Sequence, residues 1–130
     1  MRKLAIVCVF LVAAGCSGGG DGAGGVEMTS AQAFQPETIT IHVGDEVTWT
    51  NGSSEHHTVT ADGSSLPDGA DYFASGGAAT EEAAEDDLSD GLLGPGESYS
   101  HTFDTPGTYR YFCIPHRGAG MVGTVVVEES

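Results

Sequence analysis

Residues 39–50 alternate strictly. Ile39, Ile41 and Val43 fall on one face and Thr40 and His42 on the other; Gly44-Asp45 supplies a turn, and Val47 and Trp49 then alternate with Thr48 and Thr50. A period of two fits a pleated strand with one face in the core and one in water, not an amphipathic helix. Similar patterning predicts strands at residues 58–60, 99–103, 108–113 and 122–128, with turn chemistry at Asn51-Gly52, Gly94-Pro95-Gly96 and Thr105-Pro106-Gly107. Short strands at this spacing predict an all-β chain, folded as a sandwich or barrel.

Residues 61–91 break the pattern. They include the acidic stretch "ATEEAAEDDLSDG", in which Thr80 before Glu81, Glu82 and Ala83 predicts the cap of a short helix. The expectation for this segment is a solvated surface insertion without a function of its own.

The N-terminus reads differently. Met1-Arg2-Lys3, the apolar run of residues 4–14 and Gly15-Cys16 form a basic region, a short hydrophobic region and a small-residue cleavage context. This predicts a signal peptide over residues 1–15; eleven apolar positions are too few for a bilayer, which takes about 20. "VAAGC" also resembles a lipobox, with Ala13 where leucine is usual, so Cys16 is expected to be lipidated after cleavage. Residues 16–30, with "SGGGDGAGG", read as an anchor site and flexible tether. Residues 31–130 are left as one domain, expected to be monomeric and exported to the outer face of the cell membrane.

Charge narrows the partners. The chain has 19 acidic and 4 basic residues. Arg2 and Lys3 leave with the signal, so the mature part carries 19 acids against 4 − 2 = 2 bases, a net of −17. Nucleic acid and anionic membrane surfaces are excluded as partners by such a field. The acids spread from Asp21 to Glu129 rather than forming one patch, and self-repulsion is relieved where the Debye length falls to about 3 Å near 1 M salt. A high-salt environment fits.

The thiols locate the chemistry. Cys8 leaves with the signal and Cys16 sits at the processing site, so Cys113 has no disulfide partner in a compartment that oxidises thiols. In "YFCIPHRGAGM", Cys113, His116 and Met121 stand within nine positions, with Pro115 and the small "GAG" letting the backbone curl. Thiolate, imidazole and thioether are a soft ligand set, and two histidines, one cysteine and a weak axial methionine hold blue copper. A second histidine must come from elsewhere, and "SSEHHTVTAD" offers His56 and His57. Strand parity puts His57 on the face of Val59, the buried one, and His56 on the solvent face with Thr58. His42 and His101 read as surface or packed histidines, and Tyr109 and Tyr111 as core aromatics on the face of Cys113.

"FDTPGTYRYFCIPHRGAGMVGTVVVE" and "VGDEVTWTNGSSEHHTVTAD" resemble the plastocyanin family of cupredoxins. With the lipobox, tether and acidity, the chain looks most like a halocyanin, the membrane-anchored member from halophilic archaea. The resemblance implies a Greek-key cupredoxin β-sandwich with a short helical, acidic insertion. It further implies one copper on His57, Cys113, His116 and Met121, and single-electron transfer between membrane redox proteins. Thr58 stands where plastocyanins generally have asparagine, which questions the hydrogen bond between the two ligand loops. The acidic segment is read as a further departure from the plant proteins.

Two rivals come from other classes. A copper domain of a multicopper oxidase or nitrite reductase would flank its cysteine with histidines; here Phe112 and Ile114 flank it. A copper store or metallochaperone would show exposed Met/His clusters, and none is visible. The expectation is an electron carrier, not an enzyme.

Overall fold

In the computed structural model, which describes residues 23–129, eight strands form two four-stranded sheets. The strands are β1 (Ala23–Met28), β2 (Phe34–Gln35), β3 (Thr38–His42), β4 (Glu46–Asn51), β5 (Thr60–Ala61), β6 (Ser98–Thr102), β7 (Gly107–Phe112) and β8 (Val122–Glu128). One sheet runs β2-β1-β4-β6 and the other β3-β8-β7-β5; β1–β4 and β3–β8 are parallel and the remaining pairs antiparallel. Two short helices, α1 (Glu81–Asp86) and α2 (Leu88–Gly91), lie between β5 and β6. The signal peptide and Cys16 fall outside the described residues.

Alternation does the work expected of it. Val47 and Trp49 on β4, Tyr109 and Tyr111 on β7, and Val125 and Val127 on β8 are buried in one core, while Thr48, Thr50, Thr108, Arg110, Thr124 and Val126 between and beside them are more exposed. The sheets meet through aromatic edges: Tyr111 lies edge-on to Trp49 at 5.4 Å and to Phe34 at 4.6 Å between ring centroids. Offset and edge-to-face pairs of this kind contribute beyond their buried area. Gly123 on β8 gives Tyr111 its room, since a Cβ there would collide with the phenol.

Two expectations fail here. Residues 23–28, read as part of the tether, form β1, paired along its whole length with β4 from Ala23↔Glu46 to Met28↔Asn51. The glycines misled because Gly24 serves close approach rather than flexibility: a Cβ on it would lie 2.5 Å from Ile39 Cδ1. The domain therefore begins before residue 31. The segment 61–91 is likewise more than a solvated insertion. Thr80 does cap α1, its Oγ1 accepting from Ala83 N at 3.1 Å, but Phe73, Ala74 and Ser75 are buried and Phe73 stacks on Trp49 at 5.9 Å. One core wall thus comes from backbone without a strand period, which is why alternation missed it.

Candidate metal centre

The site forms where β4 and β7 end and β6 and β8 begin. Loop 113–121 joins β7 to β8 and folds on its own backbone. Cys113 N–H donates to Met121 O at 3.0 Å, His116 N–H to Cys113 O at 3.2 Å, and both Ala119 and Met121 N–H to His116 O at 3.0 and 3.3 Å. Arg117–Ala119 is a 3₁₀ turn ended by Gly120 at φ 84°, a left-handed conformation that glycine adopts without penalty.

His57 arrives on irregular backbone. The expected strand at residues 58–60 is shorter and shifted, to Thr60–Ala61, and His57 forms only an isolated bridge, donating to Leu93 O at 3.1 Å and accepting from Leu93 N–H at 2.7 Å. Parity still selects the right histidine: His57 is fully buried and His56 exposed. It fails for Thr58, which is buried too, because the chain is not yet a regular strand there.

Thr58 ties the two segments together. Its N–H donates to Cys113 Sγ at 3.4 Å, and its Oγ1 accepts from Ile114 N–H at 2.8 Å. The bond between the ligand loops is thus present with threonine in the asparagine's place.

Among the described residues, His57, Cys113 and His116 form a group suited to a metal ion. His57 Nδ1 lies 3.7 Å from Cys113 Sγ, His116 Nδ1 lies 3.4 Å from the same sulfur, and the two Nδ1 atoms are 3.2 Å apart. Metal–nitrogen and metal–sulfur bonds of about 2.0 and 2.3 Å, spread roughly 120° apart, would separate such donors by about 3.5–3.7 Å. The triangle fits an ion at its centre. Met121 is fully buried, and its backbone bonds to Cys113 and His116 hold it beside them in the loop. Burial pushes the Cys113 thiol pKa up, opposed chiefly by the Thr58 N–H. Burial, then His116, pushes His57 down against the pull of Glu55 and the Thr29 carbonyl. A bound cation reverses the thiol's preference, since a coordinating thiol is deprotonated.

Three supports went unread in the sequence. Asn51 and Ser53, both buried, sit behind His57, with Ser53 Oγ 3.0 Å from its Nε2. On the other flank Arg117 lies over the Phe112 ring at 3.8 Å and reaches Glu85 at 2.7 Å and Glu81 at 3.5 Å, joining the ligand loop to α1. Only the turn signal Asn51-Gly52 hinted at the first, and the side-chain roles had no signal. His42 is exposed, 3.7 Å from Glu128, and His101 stacks on Phe73 at 4.8 Å; neither approaches the site.

The sequence profile described as "Copper binding proteins, plastocyanin/azurin family" matches residues 23–128. The chain belongs to that family. It is 43% identical over 100 residues to the chloroplastic plastocyanin of Tetradesmus obliquus, covering 77% of this chain and 61% of that one. It is 42% identical over 100 residues to the plastocyanin of Scenedesmus fuscus, covering 77% and 91%. Among solved structures, oxidized plastocyanin from Dryopteris crassirhizoma is similar with a TM-score of 0.57 at 27% identity, covering 80% of this chain and 99% of that one. The fold is thus the two-sheet cupredoxin fold, and copper is the metal its soft donor set takes.

Proposed function

We propose that this protein carries single electrons on one type 1 copper, which His57, Cys113 and His116 would hold with Met121 as a fourth, weak donor. The observation that carries the reading is the triangle of two imidazole nitrogens and one thiol sulfur with edges of 3.2–3.7 Å. Bound copper supplies the Cu(I)/Cu(II) couple. The chain's part is to keep one donor arrangement for both states: Cys113 and His57 are fully buried, and Thr58 holds the two ligand segments in register. His116 is the exposed edge, its side chain 18% accessible between exposed Pro115 and Gly118. Electrons enter and leave there, through a small transient contact with a redox partner. With Phe112 and Ile114 flanking Cys113, no histidine leads to a second copper, which favours a carrier over an oxidase domain.

The physiological setting is that of a halocyanin: a monomer lipid-anchored through Cys16 on the outer cell face, exchanging electrons with membrane redox proteins in high salt. Its support is the lipobox-like "VAAGC" and the excess of acids. No helix among the described residues is long and apolar enough to cross a membrane. Adding Cu(II) to the full-length protein tests the first part, with an intense visible band that reductant bleaches reversibly as the expected result. Colourless protein overturns it. Membrane fractionation of Cys16→Ala tests the second, and retention on membranes after signal cleavage refutes the anchor.

A further inference from the structure

We propose that Ser53 is a positioning residue for the metal centre: its hydroxyl holds His57 in the tautomer with the proton on Nε2, so that the Nδ1 lone pair faces Cys113 and His116 before any ion arrives. This rests on the copper reading above and adds the device that prepares one donor for it.

Proton counting gives the argument. Asn51 Nδ2 donates to Glu55 O at 2.6 Å and to Leu93 O at 2.9 Å; carbonyl oxygens only accept, so the amide's orientation is fixed and its Oδ1 is the acceptor end. That Oδ1 takes the Ser53 N–H at 2.9 Å and lies 2.7 Å from Ser53 Oγ, so the serine hydroxyl donates to it. The other oxygen near the hydroxyl, Glu55 O at 3.3 Å, is also only an acceptor. Ser53 has a single hydroxyl proton, committed in either case, and Oγ is left to accept. It accepts from Glu55 N–H at 3.1 Å and, at 3.0 Å, from His57 Nε2. A neutral imidazole protonated on Nε2 has its lone pair on Nδ1, the atom on the metal triangle.

Burial makes the arrangement binding. Asn51 and His57 are fully buried and Ser53 is 8% exposed, so water cannot readily replace the hydroxyl. Such outer partners fix both tautomer and ring orientation of metal-ligating histidines, and their loss typically costs about 10–100-fold in metal affinity. The network also converts a surface turn, Asn51 to Glu55, into a rigid backing for the one donor that lies outside the ligand loop.

The test has two independent readouts on the full-length protein. In the metal-free protein at neutral pH, ring ¹⁵N chemical shifts should show His57 as the Nε2–H tautomer, and Ser53→Ala should turn it into a mixture. Copper affinity by competition should fall about 10–100-fold in Ser53→Ala and recover in Ser53→Thr, which keeps the hydroxyl. A metal-free wild type with Nδ1–H overturns the proposal, as does a Ser53→Ala protein with the pure Nε2–H tautomer and unchanged affinity, the outcome if the Thr29 carbonyl holds the ring alone. Should Ser53→Ala fail to fold, the wild-type tautomer and the Ser53→Thr affinity decide. Failure of the wild type to bind copper would instead count against the copper reading and leave the tautomer result standing.

Discussion

Loop 113–121 closes on its own backbone, with Cys113 bonded to Met121 and His116 bonded to Cys113, Ala119 and Met121. The segment from Asn51 to Thr58 has bonds of its own among Asn51, Ser53, Glu55 and His57, but it is also held by groups distant in sequence: Leu93, 42 residues from Asn51, and Cys113 and Ile114, 55 and 56 residues from Thr58. The first brings three donor residues and needs little from outside. The second brings one donor and depends on bonds to two other segments, at Leu93 and at Cys113–Ile114. A metal centre assembled in this way has a self-contained half and a dependent half, and damage to the two should look different.

The largest effects should come from the donors themselves. Cys113→Ser should abolish the visible band while leaving a folded sandwich, because a hydroxyl is too hard and too basic to replace the thiolate. His57→Ala should also abolish or radically alter the band, whereas His56→Ala should leave it nearly intact. Absorption and circular dichroism of the three variants check this, and a blue Cys113→Ser protein would break the assignment outright.

That pair of segments also explains what could be read from the chain alone. The ligand loop was legible because Cys113, His116 and Met121 lie within nine positions and soft donors at that spacing have few other uses. The sheets were legible where alternation was clean, as in β4 and β8. Parity chose His57 through Val59, although the backbone there proved irregular. The supports of His57 were not legible, because a serine hydroxyl and an asparagine amide have no periodicity and meet their partners only in the folded chain. β1 was hidden for a related reason: a glycine that admits Ile39, as Gly24 does, looks the same in sequence as a glycine of a linker.

Met121→Leu probes the self-contained half more gently. Copper should be retained, because the other three donors remain, and the reduction potential should rise, since losing a weak axial donor costs Cu(II) more than Cu(I). Potentiometry of the two proteins measures it; an unchanged or lower potential would remove Met121 from the axial role.

Thr58→Val targets the tie between the halves. Valine keeps the shape but removes the acceptor for Ile114 N–H, leaving a partly buried donor unsatisfied at a cost of about 1–3 kcal/mol. Thr58→Asn retains an acceptor and should lose less. Urea unfolding of the metal-free proteins ranks them, and equal stability of Thr58→Val and wild type would show that the two halves need no such tie.

The smallest effect is expected away from both halves, at His101, where it supplies a reference for acid sensitivity. His101 stacks on Phe73 at 4.8 Å and meets Phe103 edge-on at 4.8 Å; burial pushes its pKa below the usual histidine value, with Asp71 and Asp104 pulling weakly the other way. A lowered pKa means that the folded chain binds fewer protons at this site than the unfolded chain. The stability it contributes is therefore present above the unfolded value of about 6.5 and is lost as pH falls through the folded one. His57 is shifted in the same direction, so the metal-free protein should lose stability below about pH 6.5 at two places, one in the dependent half and one in the remote core. His101→Phe keeps an aromatic ring against Phe73 and removes only the remote contribution. Thermal unfolding of metal-free wild type and His101→Phe from pH 7.5 to 5.5 should show a smaller acid loss in the variant, with the remainder left to other groups that include His57. Identical pH profiles would mean that His101 takes up its proton in the folded state without cost, and the acid sensitivity would then belong elsewhere, with His57 the first group to test.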